Sequence, residues 1–432
     1  MIVKKYVYLL CAFFLLLTLT ANCSPSTVEN DPPISNNPTP SPTPEPEPEP
    51  EPEPTPDPSQ LTADMVYDAI GLGWNLGNQL DAYVDGVSDE ICWGNPKVSQ
   101  TIFDAVRKAG FKSVRIPITW MGHIGVAPDY KIDEDWLNRV AELVGYAEKA
   151  GLTTIINIHH DGADSKYWLD IKNAAKNSTV NQEIEAKIAA LWTQIAQKFA
   201  DKGESLIFES MNEIHDGGWG WGDNRSDGGK QYATFNRWQQ VFVDAVRATG
   251  GKNTDRWLGI PTYCTNIDLG THLTLPSDPS KHLMVAVHCY EPFDYTLSAK
   301  YSEWGHTGAT NKKDKSDEKT LVGEFDKIVN QWLSKGVPVY IGEFGCVHRA
   351  TSRDEAFRNY YLEYYTKAAS DRHIPAIYWD NGASGTGEEM SGLFNRTDGK
   401  YFDGGEDAVN AMTRGFFSKD ITLDDVYASA PK

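Results

Sequence analysis

The chain is short of positive charge: 40 Lys and Arg stand against 60 Asp and Glu, a formal net charge of −20. A surface that tracks a phosphate backbone needs the opposite balance, which excludes nucleic acid as a partner. Cysteine is sparse, six residues in 432 with no C-x-x-C among them, so a zinc ribbon or a dithiol redox pair is excluded. No apolar run reaches the roughly 18 residues that read as a membrane span. The Gly-rich run GLGWNLG at 71–77 opens no helix, which removes a dinucleotide site there.

What the sequence has begins with MIVKKYVYLLCAFFLLLTLTANCS. Lys4 and Lys5, an apolar stretch from Tyr6 to about Leu19 and small or polar residues up to Cys23 make an export signal over 1–22. Its ending resembles a bacterial lipoprotein signal with Cys23 as the lipidated residue, although Asn22 replaces the usual small residue. From Pro38 to Pro58 every even-numbered residue is proline, with Glu, Thr, Ser or Asp between. Such a segment forms neither helix nor sheet and reaches on the order of 65 Å as polyproline II. The expectation is a lipidated Cys23 and spacer over 23–60, holding a globular unit at 61–432 outside the cell, at its surface or on an outer membrane; a plain secreted protein is the alternative. Cys11 falls in the signal, leaving Cys92, Cys264, Cys289 and Cys346, which the sequence leaves open as two disulfides or as buried thiols.

After Gln60, strand-like runs alternate with amphipathic stretches. The runs are 71–78, 112–118, 152–160, 205–212, 256–264, 282–290, 337–344 and 374–381, and helical stretches follow all but the fifth. Gly110, Gly151 and Gly336 stand as helix stops before the next strand. Eight β-then-α units predict an α/β fold, a (β/α)8 barrel in one catalytic domain, with reactive groups gathered at the strand ends.

Polar residues fall at those ends. Glu213 and Glu343 each follow an apolar run, and a pair of carboxyls so placed suits acid/base work on a glycosidic bond. Around them come Asn78, Arg115, His159, His160, Asn212, His288, Tyr290 and Trp379. Thirteen Trp and twenty Tyr supply flat apolar faces of the kind a neutral sugar packs against. Trp219 and Trp221, in the Gly-rich loop GGWGWGDN, are candidates for stacking, with Trp93, Trp120, Trp168 and Trp304; Trp192, Trp238 and Trp332 fall on helical stretches and read as core. His159-His160-Asp161 invites a metal reading, but side chains at i and i+1 of a strand face opposite ways, so no metal and no cofactor is expected.

The stretches GWNLGNQLDAY, AGFKSVRIPITW, INIHHD, FESMNE, VAVHCYEPFDYT, VYIGEFGC and IYWDNG, in that order over 62–418, resemble glycoside hydrolase family 5. The resemblance implies a retaining endo-acting hydrolase of β-1,4-glucan, with Glu213 as acid/base and Glu343 as nucleophile. It implies a protonated Glu213 and an ionised Glu343 held by Arg115 and Tyr290, with Asn212 on the sugar 2-hydroxyl, His159 and His288 in the wall, and Trp379 beneath the reacting sugar. Ile214-His215 replaces the usual proline after the acid/base, and Cys289 replaces a frequent aromatic, which leaves the backbone specificity open. A β-mannanase or xyloglucan-specific enzyme is the nearest alternative, and a non-catalytic glycan-binding surface lipoprotein the more distant one. A monomer that meets the membrane only through its lipid is expected.

Overall fold

The computed structural model describes residues 58–308 and 317–432; the segment read as an export signal, Cys23 and nearly all of the proline-alternating spacer lie outside the described residues. Each of the eight apolar runs forms a strand: β1 (Leu72–Leu76), β2 (Ser113–Ile116), β3 (Thr153–Ile156), β4 (Leu206–Glu209), β5 (Leu258–Pro261), β6 (Leu283–His288), β7 (Val339–Phe344) and β8 (Ala376–Asp380). All pair in parallel and the sheet closes β1 to β8 into a barrel. Around it stand α1 (Gln100–Lys108), α2 (Glu134–Ala150), α3 (Ser178–Lys198), α4 (Lys230–Ala248), α5 (Asp317–Gln331), α6 (Ser352–Ser370) and α7 (Gly405–Phe417). The connection after β5 carries only the 3₁₀ turns Tyr263–Thr265 and Asp268–His272. Gly151 ends α2 in the left-handed region at φ 73°, where a β-carbon would be strained.

The apolar residues divide into two cores. The larger lies between strands and helices, and the smaller fills the barrel with Ile155, Ile207, Met284, Ala286, Tyr340 and Ile377. Val66 and Ile70 belong to this inner core. They bring the helix Pro58–Ile70 onto the barrel, and each such aliphatic side chain contributes about 1.5–3 kcal/mol on burial. Gly259 leaves room inside: a β-carbon there would run into the Tyr340 hydroxyl.

One irregularity bears on the chemistry. Val287 of β6 is level with Ile341 but His288 with Glu343, and on the other side Ala376 and Tyr378 are level with Ile341 and Phe344. β7 therefore holds one extra residue against both neighbours, a bulge that re-aims the side chains at its end. Cys92, Cys264, Cys289 and Cys346 are free thiols, so the pairing left open by the sequence does not form. Among the described residues no helix is long and apolar enough to cross a membrane.

Candidate active site

The strand ends converge on Arg115, whose side chain is fully buried on β2. Its Nη2 donates to Glu209 Oε1 at 2.7 Å and to Asn212 Oδ1 at 2.8 Å, and its Nη1 donates to Asn75 Oδ1 at 3.0 Å and Glu343 Oε1 at 2.8 Å. Burial disfavours its charge, but Glu209 and Glu343 outweigh that and hold the guanidinium above its ordinary value. Glu209 is fixed in turn by donors from Tyr340 at 2.6 Å and Asn157 at 2.8 Å. Burial raises its carboxyl, yet Arg115 and Tyr340 more than offset this, and it stays ionised below the usual range.

Glu343 leaves the bulged end of β7 with two fixed donors, Arg115 Nη1 and the Tyr290 hydroxyl at 2.9 Å from Oε2. Burial and the Glu343 charge push the Tyr290 phenol far above its ordinary value, so it remains a donor. Glu213 meets His288 Nδ1 at 2.7 Å, and that nitrogen also lies 3.6 Å from Glu343. One carboxylate oxygen of Glu213, one of Glu343 and a His288 nitrogen lie within 4.8 Å of one another. Carboxyl oxygens this close suit the roughly 5–5.5 Å carboxyl spacing of retaining glycosidases better than the 6.5–9.5 Å of inverting ones.

Burial and neighbouring charge push these two carboxyls in directions opposite to those the resemblance implies. Burial raises Glu213, but the His288 bond and the charges of His288, His215 and His160 outweigh it and hold the carboxyl low. Burial also raises Glu343 and, with the Glu213 charge, prevails over His288, Arg115 and Tyr290. The reversal depends on His288 donating from Nδ1. Its Nε2 has no hydrogen-bond partner, so nothing on that side fixes the tautomer. With the lone pair on Nδ1, Glu213 loses that donor and becomes the protonated member, while Glu343 keeps both of its own.

Asp81, His159 and His160 also place ligand atoms within 4.8 Å of one another. The i, i+1 argument does not apply to them, because β3 has ended and His159 has left the extended region at φ −103°, ψ −85°. Tautomer chemistry argues against a metal instead. Asn157 accepts from the Ile118 N–H through Oδ1, which turns its Nδ2 toward His159 Nδ1 at 3.1 Å. His159 Nδ1 is thereby an acceptor and its Nε2 carries the proton, leaving no free lone pair. Burial, then His160 and Arg115, lower its pKa far below the usual value, so the ring is neutral.

A cleft of about 450 Å³ opens over these groups, and His159, His160, Asn212, Glu213, His288, Tyr290, Glu343 and Trp379 all line it, as does Trp219. Trp379 stacks parallel to His159 at 5.8 Å. Trp93, Trp219 and Trp221 are exposed; Trp93 sits 5.7 Å from His160, and Trp221 lies under the Arg225 guanidinium at 3.5 Å. Trp120 and Trp304 are corrections: both are fully buried in the main core, Trp120 donating to the Asn157 carbonyl, and neither has a face for a sugar. Trp168 packs against the core and donates to Asp161 at 2.5 Å. Trp192, Trp238 and Trp332 are core, as expected. Asn78 lies beyond β1 in a turn, its N–H on Asp81 and its carbonyl accepting from Asn95; the side chain that β1 sends to Arg115 is Asn75.

Glu209, Asn75, Asn157 and Tyr340 escaped the sequence reading. Asn75 and Glu209 had a signal, since a polar residue inside an apolar strand buried on both faces needs a partner. Comparison with known proteins bears on the whole chain. Residues 78–385 match Cellulase (glycosyl hydrolase family 5). The chain is 36% identical over 376 residues to Endoglucanase A of Paenibacillus barcinonensis, covering 82% of this chain and 90% of that protein. Among solved structures it is similar to a GH5-4 broad specificity endoglucanase from Bacteroides salanitronis, at 57% identity and TM-score 0.80 over 83% of this chain and 95% of that one. It is also similar to a family 5 xyloglucanase from Paenibacillus pabuli, at 37% identity and TM-score 0.74 over 81% and 99%. With the family matched over most of its length and relatives above 30% identity on nearly their whole chains, this protein belongs to glycosyl hydrolase family 5, the cellulases.

Proposed function

We propose that the chain is an endo-β-1,4-glucanase that cleaves with retention by double displacement, Glu343 acting as nucleophile and Glu213 as acid/base. The observation that carries the assignment is the asymmetry of the two carboxyls within one narrow gap: Glu343 has the fixed donors Arg115 and Tyr290, and Glu213 has the switchable His288. A Glu343 oxygen attacks the anomeric carbon as the glycosidic bond breaks, and Glu213 gives its proton to the departing oxygen. Ester formation removes the Glu343 charge. Glu213, now anionic, takes a proton from water, which attacks the same carbon and releases Glu343. Asn212, oriented by Arg115, meets the 2-hydroxyl, and Trp379 lies under the ring.

Glu343→Gln and Glu213→Gln should each abolish nearly all hydrolysis of carboxymethylcellulose while leaving the unfolding midpoint within a few degrees. Azide should restore turnover of an activated aryl cellobioside by Glu213→Ala and give the β-azide. Substantial polymer hydrolysis by either Gln variant would defeat the assignment.

The open cleft with exposed Trp93 and Trp219 at its margins supports a glucan range that includes mixed-linkage glucan and xyloglucan. Rates on carboxymethylcellulose, barley glucan, xyloglucan and glucomannan, compared side by side, decide it; glucomannan preferred over all three glucans would favour the mannanase reading. The signal, Cys23 and the proline spacer support a cell-surface lipoprotein. Two or three acyl chains on one cysteine suffice to hold such a chain at a membrane. Cys23→Ala should move the protein from the membrane to the soluble fraction with the activity per molecule retained, and a wild-type protein free in the medium with an unmodified N-terminus would refute the anchor.

A further inference from the structure

The nucleophile owes its direction to the bulge in β7, and the scheme above leaves unused what holds that bulge. Successive side chains of a strand face opposite sides of the sheet. Tyr340 points into the barrel and Ile341 outward into the main core, so a regular strand would turn Gly342 in and Glu343 out. The reverse is found. Phe344, three residues past Ile341, packs in the outer core, and Glu343 reaches Arg115 on the inner side. Against β6 the residue without a partner between Ile341 and Glu343 is Gly342. Without that one residue Glu343 would face the helices.

A bulge leaves its extra residue out of the ladder, so something else must fix it. Asn75 does so from β1, with its side chain wholly buried and β8 lying between the two strands. Its Nδ2 donates to the Gly342 carbonyl at 2.9 Å, with longer contacts of 3.3 Å to the Ile377 and Tyr378 carbonyls of β8. Its Oδ1 accepts from Arg115 Nη1 at 3.0 Å, and the same nitrogen donates to Glu343 Oε1 at 2.8 Å. The amide sits only this way round, since a guanidinium can only donate and a carbonyl can only accept. One side chain therefore grips both the backbone from which Glu343 springs and the cation that holds its carboxylate.

We propose that Asn75 is a positioning residue for the nucleophile: by tying the Gly342 carbonyl to Arg115 it holds the β7 bulge in place and keeps Glu343 aimed at the anomeric carbon. The inference rests on the assignment of Glu343 as nucleophile. Asn75 lies beneath the cleft and not in its lining, so its loss slows attack without weakening binding.

The test uses 2,4-dinitrophenyl 2-deoxy-2-fluoro-β-cellobioside, whose leaving group departs without a proton and whose fluorine slows release of the ester, so that attack by Glu343 is read apart from the work of Glu213. Dinitrophenolate release by wild type, Asn75→Ala and Asn75→Leu gives the limiting rate of trapping and the half-saturating concentration separately, below the unfolding midpoint of each protein. The limiting rate should fall about a hundredfold in both variants, the effect of a nucleophile misplaced by about 1 Å, with half-saturation within about threefold of wild type. A wild-type limiting rate in either variant, or a loss carried by half-saturation alone, would overturn the proposal and leave Asn75 a packing residue. A crystal structure of the trapped wild type needs no variant to fold. It should keep Asn75 Nδ2 on the Gly342 carbonyl beside the esterified Glu343, and an Asn75 turned away from that carbonyl would overturn the proposal as well. Peptide mapping of the trapped wild type keeps the two readings apart: a label on any residue other than Glu343 defeats the nucleophile assignment itself, whatever the Asn75 variants do.

Discussion

At the scale of single residues the site is a charge ledger centred on Arg115, which bonds Glu209, Glu343, Asn75 and Asn212 at once. A buried cation needs its closest anion, and Glu209 meets Arg115 through both Nε and Nη2. Glu209→Gln should cost about 3–5 kcal/mol in urea unfolding, because it leaves Arg115 partly unpaired in the interior. It should lower kcat as well, since Arg115 then shifts from Glu343. A variant within about 1 kcal/mol of wild type would show that Glu343 alone satisfies the guanidinium. Glu213, Glu343, Arg115, His288 and Tyr290 were legible in the sequence because each is a polar residue in or just past an apolar run. Glu209 was not, because it sits inside such a run four residues before Glu213 and the eye takes the later acid. Trp120 and Trp304 misled for a different reason: a tryptophan outside a helical stretch gives no sign of which face is covered until the fold closes over it.

At the scale of elements, all eight strands and the seven outer helices follow the apolar periodicity, and the poor helix after the fifth run is indeed replaced by 3₁₀ turns. The helix Pro58–Ile70 was missed because it begins at the last proline of the spacer. The two-residue strands Tyr83–Val84 and Val87–Ser88 are too short to carry a period. The bulge in β7 was invisible too, since one extra residue leaves VYIGEF as apolar as before. Interior spacing gives an element-level prediction. Gly259 on β5 makes room for the Tyr340 hydroxyl of β7, so Gly259→Ala should cost about 1–3 kcal/mol by overpacking. Tyr340→Phe should cost about 1–2 kcal/mol by removing a donor from buried Glu209. The double variant should cost less than their sum, because losing the hydroxyl vacates the space that the new methyl needs. Additivity within about 0.5 kcal/mol in denaturant unfolding would sink the packing argument.

At the scale of the molecule, a closed parallel barrel brings residues from its eight strands together, Asn75 and Arg115 beneath and His159, Glu213, Thr265, His288, Glu343 and Trp379 at the mouth, and the chemistry follows from that convergence. The net charge of −20 is no obstacle to a neutral polymer. The central claim is that Glu343 forms a covalent glycosyl ester, which water then opens from the same side with Glu213 as base. Proton NMR of a fresh reaction on cellotetraose tests it most directly. The β-anomer of the new reducing end should accumulate first and give way to the α-anomer only at the rate of mutarotation; α-anomer appearing first would mean direct attack by water and contradict the double displacement.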